Sequence, residues 1–124
     1  MNKLRQFLAA SVFLGIFGFS MMAAAADAFF LELEDLPIMT GLVENQAASM
    51  TFETANGRIV EVEASGAVAA DAVRGFYAET LPQLGWVRVA DGIFERDRER
   101  LQLDISDVGG GRVLVAFSLS PKPN

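Results

Sequence analysis

Cysteine and histidine are both absent from the 124 residues. Their absence excludes disulfide staples, thiolate and imidazole metal sites, and a lipid-modified cysteine anchor. It also excludes Ser-His-Asp and Cys-His catalysis, which need an imidazole to carry the proton. No serine stands in a Gly-x-Ser-x-Gly context, and Ser-Lys chemistry would have to draw on Lys122 in the tail. The Gly109-Gly110-Gly111 run leads into a strand pattern, whereas a phosphate loop joins a strand to a helix. Internal repeats and long linkers are missing as well.

Basic charge is scarce, and part of it sits at the start. Lys3 and Arg5 precede an apolar run from Phe7 to Ala26, interrupted by Ser11, Gly15, Gly18 and Ser20. Small residues in the pattern that signal peptidases read follow it, so residues 1–28 are expected to be a helical signal peptide. Two cleavage frames fit: Ala24-Ala25-Ala26, which leaves Asp27 first, and the preferred Ala26-Asp27-Ala28, which leaves Phe29 first. A bilayer is spanned by about 20 apolar residues, so membrane attachment is the alternative if the segment stays uncleaved. The expected location is periplasmic or secreted.

All sixteen acidic residues lie at or beyond Asp27, while only eight of the ten basic ones do. The chain after the signal therefore carries a net charge of −8, or −7 if Asp27 is also removed. A field of that sign repels nucleic acid and anionic lipid surfaces. The remaining length, about 100 residues, buries roughly 60–70% of its unfolded surface, which supports one core and excludes a second domain.

Residues 29–48 read as an N-terminal arm, in which Phe29 to Leu42 is an alternating apolar stretch, broken by Pro37 and Gly41, that suits an edge strand or a docking arm. Its eight large apolar side chains, from Phe29 to Leu42, suit either docking on the domain or contact with a partner or membrane. The domain proper is expected over 49–120, followed by a tail at 121–124. Ser49–Ala55 and Arg58–Ala64 read as two strands around Asn56-Gly57. A two-residue loop would put Phe52 on the face of Glu61. A three-residue loop, Ala55-Asn56-Gly57, puts Phe52 opposite Val60 and Met50 opposite Val62, and burial of Phe52 favours it.

One helix is expected from Ala69 to Leu84, because Val73, Phe76, Tyr77, Thr80, Leu81 and Leu84 recur at three- and four-residue steps. Asp71 suits its first turn, Gly85 its stop, and Pro82 distorts its last turn. Gly75 lies inside it at a cost of about 1 kcal/mol relative to alanine, for which a close backbone approach is the expected compensation. Four strands follow, Trp86–Ala90, Ile93–Arg96, Leu101–Ser106 and Arg112–Ser120. Asp91-Gly92 is expected to pair Val89 with Phe94, and a turn over Asp97–Arg100 to pair Phe94 with Leu103.

The fold class is therefore α+β: an antiparallel sheet of about six strands in ββαββββ order, with one helix across one face. Phe52, Val60, Val62, Val87, Val89, Phe94, Leu101, Leu103, Ile105, Val113, Val115, Phe117 and Leu119 are expected on the covered face. Glu53, Glu61, Glu63, Arg88, Glu95, Gln102, Asp104 and Arg112 are expected on the open one, with Ile59 and Leu114 among them.

The stretch Phe76-Tyr77-Ala78-Glu79-Thr80-Leu81-Pro82-Gln83-Leu84-Gly85-Trp86 has the form Phe-Tyr-x3-Leu-Pro-x2-Gly-Trp. It resembles a motif of small exported bacterial proteins of unknown function, in which it looks like a helix feeding a meander. Asp35-Leu36-Pro37, Gly57-Arg58-Ile59-Val60 and Phe94-Glu95-Arg96 are similar to the same group, so the likeness spans most of the chain after the signal. The resemblance implies a fold and a compartment. It implies no activity and no catalytic residue.

Carboxylates are the remaining catalytic candidates, but Glu61 and Glu63 alternate with valines as on any solvated strand. Asp104 and Asp107 enter the glycine run, yet a calcium loop needs several carboxylates at alternating positions. The alternating charges of Glu95 to Arg100 read as a solvated turn. Trp86 shares a face with Arg88 by alternation, and an outward tryptophan near Ile59 and Leu114 would anchor a partner. The competing reading packs Trp86 under the helix end.

Candidate partner-binding residues are thus Trp86, Ile59, Leu114 and Arg88, with no catalytic residue, cofactor or metal expected. The leading functional expectation is a non-catalytic interaction module, accessory to an envelope assembly and bound to an unidentified envelope protein. The first alternative is a carrier of a small apolar ligand between helix and sheet, where Phe52, Phe76, Phe94 and Phe117 would converge. The second is a carboxylate-dependent hydrolase, which needs two carboxylates converging in a cleft.

Overall fold

The computed structural model describes residues 28–123, so the expected signal helix and the residues before Ala28 lie outside the described part. Strands β1 (Val43–Glu44), β2 (Met50–Thr54) and β3 (Gly57–Gly66) precede helix α1 (Ala70–Gln83). Strands β4 (Val87–Ala90), β5 (Ile93–Arg96), β6 (Glu99–Gly109) and β7 (Arg112–Pro121) follow it. All pairs are antiparallel, in the spatial order β1-β3-β7-β6-β5-β4, with β2 also paired to β3. Among the described residues the class is α+β, with one α-helix on a seven-stranded antiparallel sheet. The seventh strand is the short β1, which shares the edge of β3 with β2. No described helix is long and apolar enough to cross a membrane.

Helix α1 forms where the apolar residues recur at helical steps, and it buries Val73, Tyr77 and Leu81. Its end is a Schellman motif. The Gly85 amide donates to the Pro82 carbonyl, and the Trp86 amide reaches back to Leu81. Gly85 supplies the positive φ, 92°, that this closure requires. Trp86, immediately beyond, is 5% exposed and shares the buried cluster with Leu81.

The covered face of the sheet carries Val60, Val62 and Ala64 of β3 and Val113, Val115, Phe117 and Leu119 of β7, all buried. The helix does not roof it alone. Phe30, Leu33, Leu36, Ile38 and Leu42 of the N-terminal arm are also buried, so the arm docks on its own domain. Phe30 and Tyr77 both meet the Phe117 ring edge-to-face, at centroid distances of 5.5 and 4.9 Å. At Gly66 a side chain would overlap the Gly41 carbonyl oxygen, which shows how closely the arm lies against the end of β3.

Three strand registers differ from the sequence expectation. The β2–β3 hairpin turns through Ala55-Asn56, pairing Thr54 with Gly57 and Phe52 with Ile59. Thr54 Oγ1 stabilises the turn, accepting from the Asn56 amide at 3.2 Å and donating to the Gly57 carbonyl at 2.6 Å. Phe52 and Met50 consequently sit on the open face, and Glu53 moves to the side of Arg58. The covered side at β2 is taken by Thr51, whose hydroxyl donates to Glu32 of the arm at 2.8 Å. Both residues are exposed, as is every residue of β2, so the buried core ends at β3 and does not reach the place that Phe52 was expected to fill.

At β4 a bulge between Arg88 and Ala90 leaves Ala90 opposite Ile93 but puts Arg88 opposite Phe94 and Val87 opposite Glu95. Val87 is therefore 64% exposed, and Arg88 faces the covered side. The cause lies upstream, because the Schellman closure turns Trp86 under the helix and alternation then sends Val87 outward. The β5–β6 turn is tighter than expected, pairing Arg96 with Glu99 and Phe94 with Leu101, a shift of two residues that leaves every face unchanged.

Candidate functional site

The structure does not bring Trp86, Ile59, Leu114 and Arg88 together. Ile59 and Leu114 are half-buried on the open face, at opposite ends of the β3–β7 pair. Trp86 is under the helix end, and Arg88 lies on the opposite face of the sheet from Ile59. An outward tryptophan anchor is thereby excluded.

Trp86 instead belongs to a structural clasp. The Arg96 guanidinium lies 4.2 Å from the centre of its ring. The same guanidinium donates to the Leu84 carbonyl at 2.9 Å and pairs with Asp35 of the arm at 2.9 Å. One side chain thus joins the helix end, the arm and β5. Nearby, Arg58 pairs with Glu99 at 3.0 Å, and this hydrogen bond raises the Arg58 pKa further.

The open face carries apolar groups that alternation had assigned inward. Met50 and Phe52 are 48% and 46% exposed, and they pair with Glu61 and Ile59 across β2–β3. Val43 and Leu114 flank Ser65 at the other end of β3. Strand β2 lies at the sheet edge. Phe52 was legible only through the two-residue loop, the register that puts it on the face of Glu61.

Between these apolar ends, Glu61, Glu63 and Asp104 border a shallow depression of about 190 Å³ floored by Ala116 and Ser118. Glu63 accepts from the Asn45 side chain at 3.0 Å, and Asp104 from Gln102 at 3.3 Å. Among the described residues no three acidic side chains are grouped so as to hold a metal ion. On the same face Glu95 is held below the usual carboxylate range, first by its hydrogen bonds from Arg100 and then by the charge of Lys122.

The convergence of four phenylalanines between helix and sheet is not formed. Phe52 is on the other face, and Phe117 is enclosed by Phe30 and Tyr77, with Phe76 packed edge-to-face on Tyr77 at 4.8 Å. Space occurs further along, beside Phe94, where Gly75 of α1 faces no atom within 4 Å of the place a side chain would occupy. The expected close approach at Gly75 is therefore absent.

Compared with family models, curated proteins and solved structures, the chain finds no match.

Proposed function

We propose that this chain is an exported, non-catalytic interaction module, accessory to an envelope assembly, which engages a protein partner through the open face of its sheet along β2. One observation carries this reading: Met50 and Phe52 stand about half exposed on an edge strand, paired with Glu61 and Ile59, while the helix and the buried residues of the arm lie on the other face. Exposed aromatic and methionine side chains are the usual anchors of interfaces, and a free strand edge offers backbone groups for strand addition. Glu61, Glu63 and Asp104 beside the anchor favour a partner that presents basic residues. Export rests on the Lys3–Ala28 pattern and on the resemblance of the Phe76–Trp86 motif to small exported bacterial proteins.

The test is a photo-crosslinking residue placed at Phe52 or at Val87 in the full chain, expressed in its native envelope. A discrete adduct is expected from position 52 and not from 87, and Met50→Glu should abolish it. Recovery of the uncrosslinked monomer alone from both positions would count against the proposal. The intact mass of the exported protein tests cleavage separately, since a mass that still includes Met1 contradicts it.

A further inference from the structure

A second site, independent of the open face, lies on the covered side of the sheet. Here α1 and the β4–β6 end of the sheet stand apart and leave a solvent-open cleft of about 530 Å³. That volume falls within the roughly 300–1,000 Å³ of small-molecule sites. The floor is Phe94, which is buried, with Leu103 and Ile105, which are half-buried. The roof is the helix surface at Gly75 and Ala78. A glycine inside a helix costs stability relative to alanine, and among the described residues no atom lies within 4 Å of where a Gly75 side chain would sit. Its effect is to keep the cleft open.

The rim carries the charge. Arg74 from the helix and Arg88 from β4 both line the cleft. Arg88 is there because the turn of Trp86 under the helix end inverts the alternation, and the β4 bulge restores it only after Arg88, leaving Val87 and Val89 exposed. Bulges recur beside binding sites. Among the described residues each arginine pairs with an exposed aspartate three residues away, Asp71 for Arg74 and Asp91 for Arg88. Such pairs contribute little and exchange readily for another anion. Asp91 is itself on the rim, whereas the Asp104 carboxylate belongs to the open face, where it accepts from Gln102.

We propose that this cleft binds a small amphiphilic carboxylate, with its apolar chain on Phe94, Leu103 and Ile105 and its head group between Arg74 and Arg88. The chain of such a ligand replaces water over the apolar floor, and the two guanidiniums supply charge-assisted hydrogen bonds at the open rim.

Titration of the protein as exported with decanoate, followed by amide chemical shifts, tests this. Saturable shifts are expected at Gly75, Phe94 and Leu103. Binding should weaken about tenfold or more for decanol in place of decanoate, and similarly for Arg88→Gln or Arg74→Gln. Gly75→Leu should abolish binding by filling the cleft, whereas Gly75→Ala should retain it and raise the melting temperature. If Gly75→Leu fails to fold, Ala78→Leu blocks the cleft from the adjacent turn. Shifts that do not saturate, decanol binding as tightly as decanoate, or undiminished binding in a folded blocked variant would each overturn the proposal.

Discussion

The Tyr77 hydroxyl donates a hydrogen bond of 2.8 Å to the Pro37 carbonyl, 40 residues earlier in the chain. The same oxygen accepts from the Met39 amide at 3.2 Å. Through these two bonds the buried face of α1 holds the N-terminal arm against the sheet. The arm is thus part of the core, fixed by backbone groups that have this phenol as their partner.

Tyr77→Phe keeps the ring against Phe117 and removes only the hydroxyl. It leaves the Pro37 carbonyl and the Met39 amide to find other partners, which should cost about 1–3 kcal/mol. Denaturant unfolding of both proteins measures it. A loss below a few tenths of a kcal/mol would show that the arm is held by its apolar groups alone.

Alkaline pH should act through the same residue. Burial pushes the Tyr77 pKa up to about 12 from its ordinary value of 10.0, against a smaller lowering from the Met39 amide. The unfolded chain therefore releases this proton first. Stability attached to Tyr77 is fully present below pH 10 and is lost as pH rises toward 12, by about 2–3 kcal/mol. Unfolding free energies across that range should fall in the wild type and fall less in Tyr77→Phe.

Two glycines give opposite forecasts for the same substitution. Gly66→Ala forces a methyl group into the Gly41 carbonyl and should destabilise by about 3 kcal/mol or more. Gly75→Ala meets open space within a helix and should stabilise by about 0.5–1 kcal/mol. Thermal melts of the pair settle both.

Arg96→Ala removes the cap on the Leu84 carbonyl, the Asp35 ion pair and the cover over the Trp86 ring. A loss of about 1–3 kcal/mol is expected, together with a red shift of tryptophan emission as water reaches the single indole. Unchanged emission would mean that the arm and Leu81 shield Trp86 without help.

The hairpin register has its own test. Phe52→Thr should change stability by no more than about 0.5 kcal/mol, because Phe52 is on the open face. Val60→Ala should cost about 2 kcal/mol or more, because Val60 is fully buried. A large loss at Phe52 would restore the register in which it faces Val60.

The helix was legible because its apolar residues repeat at a helical step, and the later strands because valine, leucine and phenylalanine alternate along β6 and β7. Less legible were the features that depend on what lies across the core. Alternation treats Phe52 as a core residue, yet the β2 residue on the side of Val60 is Thr51, which stays exposed and bonds Glu32 of the arm. Alternation also places Val87 inward, but the Schellman turn at Gly85 consumes one inward position for Trp86 and inverts the two that follow. That inversion had a local signal, a leucine five residues before a tryptophan with glycine between them. It decided which of the candidate partner-binding residues reach the open face: Ile59 and Leu114 do, while Trp86 and Arg88 do not.

By itself the sequence determined the α+β class, the place of α1 and the excess of acidic charge. Each of these depends on residue type and spacing along one segment, where local sterics and burial of a stripe suffice. Tertiary structure decided the docking of the arm, the exposure of Met50 and Phe52, and the inward turn of Arg88 beside an open cleft. Those features depend on competition between distant segments for one apolar face, and a two-period pattern cannot tell which segment wins it.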